Sequence, residues 1–251
     1  LQVNLIRSHA SGVGEPLSEV ESRAILLLRT NVLAKGFSGA RVELVDALVE
    51  MLNKKVHPVI PCKGSVGASG DLAPLAHLAL VLLGEGEAFY QGKRVSGKEA
   101  MEKAGIKTVK LAPKEGLSLI NGTQMMTALG ALTLLRAEEA IDLADLICSA
   151  SLEGVLGTPR AFKAWVHETR PYAGQTHSAK LLRTFMEGSE IYESHKNCDR
   201  VQDPYSFRCT PQVHGAIRDL LAHVRNILSI ELNAATDNPL VHPDTGELIS
   251  Q

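Results

Sequence analysis

A run of small residues, GSVGASGDLAPLAH at residues 64–77, holds the most distinctive chemistry of the chain. Within it, Ala68, Ser69 and Gly70 are small enough to fold into a very tight turn, where glycine carries no Cβ penalty. In such a turn the amide nitrogen of Gly70 can attack the carbonyl carbon of Ala68 and close a five-membered ring with loss of water. Dehydration of Ser69 then leaves an exocyclic methylidene group. Because ordinary side chains supply no good electrophile, the segment predicts a cofactor made from the backbone itself.

The same run also fits a simpler structural role. Ser69 or Asp71 is a suitable N-cap, and the apolar residues 72–83 that follow predict a buried helix. Both interpretations can hold together, because the turn must lead into some element. The tripeptide alone is weak evidence, since small residues occur in many loops, whereas the longer run is far more specific.

Five other segments along the chain carry distinctive polar residues. They are SHA (8–10), LINGTQ (119–124), SHKNCDRVQDPYSFRC (194–209), ELN (231–233) and TDNP (236–239). Together with the run at residues 64–77, these segments resemble those of the aromatic amino acid ammonia-lyases over the whole chain. The resemblance is greatest to the members of that family that act on histidine.

The resemblance implies a prosthetic group, 4-methylidene-imidazol-5-one (MIO), formed autocatalytically from Ala68, Ser69 and Gly70 without any external cofactor. It implies that ammonia is eliminated from L-histidine without oxidation to give trans-urocanate. It also implies a cytoplasmic homotetramer in which three subunits build each active site. A tyrosine or phenylalanine ammonia-lyase, an aminomutase, and a catalytically inactive structural oligomer of the same fold are the alternatives.

Two residues of the 194–209 segment are candidates for binding and catalysis. Arg208 suits a substrate carboxylate, because a guanidinium offers it two parallel charge-assisted hydrogen bonds. Tyr205 could donate a hydrogen bond or transfer a proton, and the resemblance implies that it lies in the active site as a catalytic residue. By themselves the two would be a surface arginine and a partly buried aromatic residue.

Three further residues are candidates for substrate binding. The resemblance implies that the amides of Asn121 and Gln202 line the electrophile, although isolated residues of this type are usually helix or turn caps. His9 matches a position that contacts the substrate side chain, where an imidazole can exchange a hydrogen bond with a polar ring. A lone histidine is more often structural, as we expect of His77.

Composition excludes several other classes of function. The formal net charge of −2, without a basic block, argues against a nucleic-acid or anionic-membrane partner. No apolar run approaches the roughly 18 residues of a membrane span. The four cysteines show no Cys-x-x-Cys pair, which suits a reducing compartment. A metal site at His195, Cys198 and Cys209 ranks below unpaired thiols, so no metal is predicted.

Apolar residues that recur every three and four positions predict a mainly α fold, a long helical bundle with the ammonia-lyase (fumarase/aspartase-like) architecture. The exception is residues 88–95, which predict a small β-hairpin. We expect residues 1–251 to form a single mostly helical region, an internal fragment of a longer lyase chain. Ser38 is predicted as the N-cap of one helix. The predicted helices cover residues 1–10, 17–33, 42–52, 72–83, 125–155 and 213–235.

Overall fold

The computed structural model describes residues 1–67 and 70–250, so Ala68 and Ser69 lie outside the described residues. The described chain is mainly helical, which confirms the predicted fold class. The helices are α1 (Gln2–His9), α2 (Glu19–Ala34), α3 (Val42–Asn53), α4 (Leu72–Leu82), α5 (Gly97–Lys103), α6 (Glu115–Ile120), α7 (Gln124–Gly154), α8 (Ala164–Glu168), α9 (Ala173–Phe185), α10 (Glu190–His195), α11 (Tyr205–Arg208) and α12 (Thr210–Glu231). A 3₁₀ helix covers Pro159–Phe162.

The strands are short and antiparallel. They are β1 (Val13–Pro16), β2 (His57–Pro58), β3 (Pro61–Lys63), β4 (Glu87–Tyr90), β5 (Lys93–Ser96), β6 (Leu240–Val241) and β7 (Leu248–Ile249). The predicted hairpin is confirmed as β4 and β5, joined at Gln91 and Gly92, and β2 pairs with β4 to complete a sheet of three strands. Strand β1 pairs with β3, so the chain that follows His9 runs beside the chain that enters the run at residues 64–77.

The chain divides into two compact units, one of residues 1–132 with 228–251 and one of residues 133–227. In the first unit, helix α4 is buried on most of its surface, which explains why its sequence is apolar almost throughout. Leu75 and Leu78 of α4 pack in one cluster with Leu26 of α2 and Leu48 of α3. None of the helices described is both long and apolar enough to cross a bilayer.

The second unit has a smaller apolar cluster, formed by Leu152, Phe162, Leu182 and Met186. Beside it, a fully buried carboxylate on α7, that of Asp145, joins neighbouring helices. Its oxygens lie 2.9 Å from Ser178 Oγ, 2.7 Å from His214 Nδ1 and 2.6 Å from a terminal nitrogen of Arg218. These charge-assisted bonds tie α9 and α12 to α7 within this unit.

Local signals account for some helix starts but not for others. Ser18 and Glu21 form a capping box at the start of α2, with the Ser18 amide donating to Glu21 Oε2 at 2.9 Å. The prediction of Ser38 as an N-cap is wrong, because α3 begins after Arg41. Ser38 is buried instead, and its carbonyl oxygen accepts a hydrogen bond from Ser118 Oγ at 2.8 Å.

Adjacent leucines on α2 provide a test of where the core lies. Leu26 is fully buried, whereas Leu27 is 55% exposed. We expect Leu26→Ala to lower the free energy of unfolding by about 2–5 kcal/mol, since it leaves a cavity in the main cluster. The matched variant Leu27→Ala should change it by no more than about 0.5 kcal/mol. Urea unfolding of the two variants measures both values, and equal losses would contradict this placement of the core.

Candidate active site

A cavity of about 420 Å³ in the first unit brings together three of the predicted site residues, His9, Gly70 and Asn121. His9 is the last residue of α1, Gly70 lies just before α4, and Asn121 ends α6. The complete lining is His9, Gly70, Leu72, Leu117, Asn121, Gly122, Thr123, Ala235, Thr236, Asp237 and Asn238. The cavity therefore combines an imidazole, side-chain amides and a main-chain segment rich in glycine.

Gly70 occupies a position that only glycine suits. Its φ of +91° lies in the left-handed region, and a Cβ there would stand 2.8 Å from Asn121 Oδ1. The next peptide is fixed as well, because the Asp71 amide donates to the Gly122 carbonyl oxygen at 2.6 Å. A backbone-derived ring at this point fits the described residues, since the Gly70 end is held in a tight, side-chain-free bend.

The Asp71 carboxylate is fully buried and holds the chain on both sides of the two undescribed residues. It accepts hydrogen bonds from Ser65 Oγ at 2.5 Å and from the Met126 amide at 2.9 Å. The Gly67 amide in turn donates to Ser65 Oγ at 3.3 Å. Met126 lies in the first turn of α7, where free amides favour an anion. Asp71 is the N-cap of α4, as expected, but its side chain caps the neighbouring helix rather than its own.

The orientation of the Asn121 amide follows from its partner. Asn121 Nδ2 donates to the carbonyl oxygen of Asn238 at 2.7 Å, because an amide nitrogen donates and a carbonyl oxygen accepts. Oδ1 of the same amide is therefore the atom beside Gly70. The Asn238 segment thus decides which end of the Asn121 side chain is presented to the cavity.

Asn121 and Gly122 form one wall of the cavity, and a buried guanidinium lies next to this wall. Arg29 of α2 has no exposed surface and donates to Gln124 Oε1 at 2.8 Å and to the Ser118 carbonyl oxygen. Asp237 Oδ1 is 3.7 Å away, and Asp237 Oδ2 lies 3.3 Å from Lys114 Nζ. Burial lowers the pKa of Arg29 to about 10, opposed by the charge of Asp237, so the group stays protonated at neutral pH.

The His9 imidazole has a defined tautomer. Its Nδ1 lies 2.8 Å from the carbonyl oxygen of Leu5, which can only accept, so Nδ1 carries the hydrogen. In the neutral ring the lone pair is then on Nε2. Because His9 lines the cavity, Nε2 is the ring atom that can accept a hydrogen bond from a bound group, which suits a ring that carries an N–H or O–H group.

His77 of α4 holds the segment that follows His9. Its Nε2 accepts a hydrogen bond from the Gly12 amide at 3.1 Å, and a Cβ on Gly12 would lie 3.2 Å from that nitrogen. Burial lowers the pKa of His77, so the neutral acceptor form is favoured. The expectation that His77 is a satisfied structural residue is confirmed, and the residue it satisfies lies three positions after His9.

Three further predicted site residues, Gln202, Tyr205 and Arg208, belong to the second unit, whereas Ala68 and Ser69 lie outside the described residues. Arg208 Nε donates to the Asp203 carbonyl oxygen at 2.9 Å, and the Arg208 guanidinium carbon lies 5.4 Å from the centroid of the Tyr205 ring. The Tyr205 side chain is 71% exposed, and Gln202, which precedes α11, is also exposed. All three side chains are accessible within this unit.

The segment that carries these residues is fixed to the end of α7. Arg200 Nη1 donates to the carbonyl oxygens of Val155 and Leu156 at 3.0 and 3.2 Å. Asp203 Oδ2 accepts from the Thr158 amide at 2.8 Å. These carbonyl groups lie just after the C-terminus of α7, where a cation is favourable because the negative end of the helix dipole is there.

The same segment contains His195, Cys198 and Cys209, the residues considered as metal ligands. Both ring nitrogens of His195 face carbonyl oxygens, those of Ile191 at 2.5 Å and Gly157 at 2.9 Å. Across residues 1–67 and 70–250, no group of three or more histidine, cysteine, aspartate or glutamate side chains is arranged to hold a metal ion.

Comparison with known proteins shows the family to which this helical chain belongs. The profile of the family described as aromatic amino acid lyase matches residues 1–251, and the chain belongs to that family. The resemblance expected from the sequence motifs is thereby confirmed.

Curated relatives and solved structures agree with this assignment. The chain is 59% identical to a histidine ammonia-lyase of Koribacter versatilis over 97% of its own length and 47% of that protein. The crystal structure of histidine ammonia-lyase from Trypanosoma cruzi matches with a TM-score of 0.89 and 43% identity, over 100% of this chain and 46% of that one. A phenylalanine aminomutase of Pantoea agglomerans matches with a TM-score of 0.91 and 36% identity, over 100% and 52%. The chain thus spans about half the length of the curated relatives it matches.

The bond between Gly12 and His77 should be lost at low pH. The folded pKa of His77 lies below the unfolded value of about 6.5, so protons favour the unbonded state, and the bond contributes fully only above that value. We expect hydrogen exchange of the Gly12 amide, corrected for intrinsic rates, to accelerate as the pH falls from about 7.5 to about 5.

His77→Gln is the matched control for this experiment, since a side-chain amide oxygen can accept from Gly12 but does not titrate. Exchange at Gly12 in that variant should stay independent of pH after correction. Because burial also lowers the pKa values of His57 and His167, local exchange is a sharper measure than global stability. The same acceleration in both proteins would show that His77 is not the titrating group.

Proposed function

We propose that the protein is a histidine ammonia-lyase, which removes ammonia from L-histidine without oxidation and releases trans-urocanate. The observation that carries this proposal is the identity of 54–59% to eight proteins named histidine ammonia-lyase. The geometry of the cavity supports it independently, because His9 presents an acceptor beside Gly70 and Asn121.

Ala68, Ser69 and Gly70 are proposed to form the MIO group. The Gly70 nitrogen bonds to the Ala68 carbonyl carbon, whose oxygen leaves as water, and Ser69 loses its hydroxyl and its Cα hydrogen as a second water. No external cofactor is needed. When formed, the ring supplies the electrophile that this elimination requires and that ordinary side chains lack. The side-chain-free bend at Gly70, packed on Asn121 Oδ1, supports this proposal.

The elimination needs groups that bind the substrate and move a weakly acidic β-proton. Arg208 is proposed to bind the carboxylate. Its Nε is engaged by the Asp203 carbonyl oxygen, so within the described chain its two terminal nitrogens are available for a bidentate contact. Tyr205, an exposed residue, is proposed to donate a hydrogen bond or transfer a proton.

The remaining side chains are proposed to line the electrophile and select the substrate. Asn121 Oδ1 lies against Gly70, and the exposed amide of Gln202 is proposed to bind the substrate or line the electrophile as well. His9 Nε2 accepts a hydrogen bond from the N–H of an imidazole ring. A substrate ring without a donor leaves this acceptor unpaired, which penalises phenylalanine.

The proposal extends to the assembly and its setting. We propose a cytoplasmic homotetramer with shared active sites, acting on a free amino acid and binding neither nucleic acid nor membrane. The chain spans about half of its curated relatives, which leaves room for active-site groups in other segments of such a protein. The net charge of −2 supports the absence of an anionic polymer as partner.

A second candidate function is supported by one observation. The fold matches a phenylalanine aminomutase as well as it matches a histidine ammonia-lyase, with TM-scores of 0.91 and 0.89. Lyases or aminomutases acting on phenylalanine or tyrosine therefore share the scaffold. A tyrosine hydroxyl could also donate to His9 Nε2, so the substrate assay must include both amino acids.

The first test is the substrate profile of the full-length gene product, with the Ser69→Ala variant as its control. L-Histidine should yield urocanate, whereas L-tyrosine and L-phenylalanine should yield little unsaturated acid. The tryptic peptide of residues 64–93 should weigh two water molecules less than its sequence. Ser69→Ala removes the hydroxyl that is eliminated, so it should restore the unmodified backbone mass and lower turnover by several orders of magnitude.

Each outcome of that test has a distinct meaning. Cinnamate without urocanate would reject histidine as the substrate. An unmodified peptide in a correctly folded oligomer would favour an inactive structural relative. Near-normal turnover by Ser69→Ala would reject the backbone-derived electrophile.

His9 provides a separate test of substrate selection. We expect His9→Phe to lower kcat/KM for L-histidine by about 10- to 100-fold, because a hydrogen-bond acceptor for the substrate ring is lost. Turnover of L-phenylalanine should stay level or rise. His9→Gln, which keeps a side-chain acceptor, should lose less activity on L-histidine. An unchanged ratio of the two substrates in His9→Phe would show that His9 does not read the ring.

A further inference from the structure

We propose that Arg29 is a positioning residue for ring formation, which holds Asn121 and Gly122 against Gly70 and Asp71 before the ring closes. This inference rests on the proposed function, because it requires a ring to form at residues 68–70. Arg29 touches none of the reacting atoms and acts through the wall of the cavity.

Three stretches of the first unit meet at the Arg29 guanidinium. One is the end of α6, through the Ser118 carbonyl oxygen, and another is the start of α7, through Gln124 Oε1. The third is the segment before β6, where the Thr236 carbonyl oxygen lies 3.5 Å from Arg29 Nη1 and Asp237 is paired with the guanidinium. One planar cation therefore contacts three stretches of chain that each contribute residues to the cavity lining or lie next to residues that do.

The first link from Arg29 to the ring segment passes through Gly122. A Cβ on Gly122 would lie 2.8 Å from the Thr236 carbonyl oxygen and would also overlap Arg29 Nη1 and Gln124 Oε1. Gly122 is therefore packed directly on the guanidinium and its partners. Its carbonyl oxygen, held in this way, accepts the Asp71 amide at 2.6 Å.

The second link passes through Asn238. The Asn238 amide donates to Asp237 Oδ1 at 2.8 Å, and the Asn238 carbonyl oxygen accepts from Asn121 Nδ2 at 2.7 Å. Fixing Asp237 with Arg29 thus fixes the acceptor that turns Asn121 Oδ1 towards Gly70. Gln124 Nε2 also donates to Thr236 Oγ1 at 2.7 Å, which is a further hydrogen bond between the start of α7 and the segment before β6.

The composition of this cluster argues against simple packing. Arg29 and Lys114 face the single carboxylate of Asp237, and Arg29 Nε has no partner among the described residues. Burying such a group is costly, and apolar residues often pack a core at least as well. What the guanidinium provides is several donors in one fixed plane, which set the positions of neighbouring backbone segments.

Ring closure is the step that benefits from fixed positions. An amide nitrogen attacks a neighbouring carbonyl carbon only when the turn is held close to the reactive geometry, and a rigid wall removes the alternative conformations in advance. Without Arg29, the Asn121–Gly122 wall can relax away from Gly70 while the helices around it remain packed.

The test uses the full-length gene product and measures modification, not turnover. Arg29→Met removes the donors, Arg29→Lys keeps a charge opposite Asp237 without the planar fork, and Arg23→Met is the control. Arg23 is on the same helix and donates to the Leu52 carbonyl oxygen at 2.6 Å, in contact with none of the cavity wall. The readout is the fraction of the 64–93 peptide that lacks two water molecules, taken from folded protein after size exclusion, with thermal unfolding recorded in parallel.

We expect nearly complete modification in the unaltered protein and in Arg23→Met, a fall of about tenfold or more in Arg29→Met, and an intermediate value in Arg29→Lys. If Arg29→Met does not fold, Arg29→Lys decides, and a normal extent of modification there overturns the proposal. Equal loss in Arg23→Met and the Arg29 variants also overturns it, because general destabilisation then explains the effect. An unmodified peptide in the unaltered protein refutes the proposed function and this inference together, whereas normal modification in the Arg29 variants refutes the inference alone.

Discussion

The fully buried guanidinium of Arg29 constrains how the chain segments of the first unit pack around it. Removing the charge of Arg29 from water costs free energy. This desolvation cost is offset only if carbonyl, amide and carboxylate oxygens lie at fixed places around the guanidinium. Those oxygens come from Ser118, Gln124, Thr236 and Asp237, which the chain brings together from both ends of the unit. Satisfying one buried cation therefore constrains backbone that also lines the cavity.

The cavity is built from main-chain groups as much as from side chains. At Gly70 and Gly122, which both line the cavity, a Cβ would overlap polar atoms, and the lack of a side chain lets the two backbone segments approach closely. At this close approach, the amide of Asp71, the residue after Gly70, donates a hydrogen bond to the carbonyl oxygen of Gly122. Such an arrangement suits chemistry performed on the backbone, since the polypeptide there is both the scaffold and the reactant.

The sequence predicts the parts of this structure that depend on local pattern. Apolar periodicity located the long helices, and the turn at residues 91–92 located the hairpin. The sequence does not predict that Arg29 is buried. It follows three leucines in α2, and a single cation in an amphipathic helix usually faces solvent. Its burial depends on partners 89 and 95 residues further along the chain. Hydrophobic periodicity reports only local structure, so it does not predict such contacts.

The same limit applies to the way Asp71 and Arg208 are held. Motif reasoning placed Asp71 at the start of α4, which is where it lies, but its carboxylate binds the first turn of α7, 55 residues away. In the second unit, the segment before Arg208 is held by Arg200, which donates to the carbonyl groups of Val155 and Leu156 just after α7. In each case a charged side chain binds main-chain groups at the end of a helix or just after it, where donors and acceptors lack partners within the helix. A motif identifies the residues that can do chemistry, whereas the unpaired ends of distant helices decide where those residues are fixed.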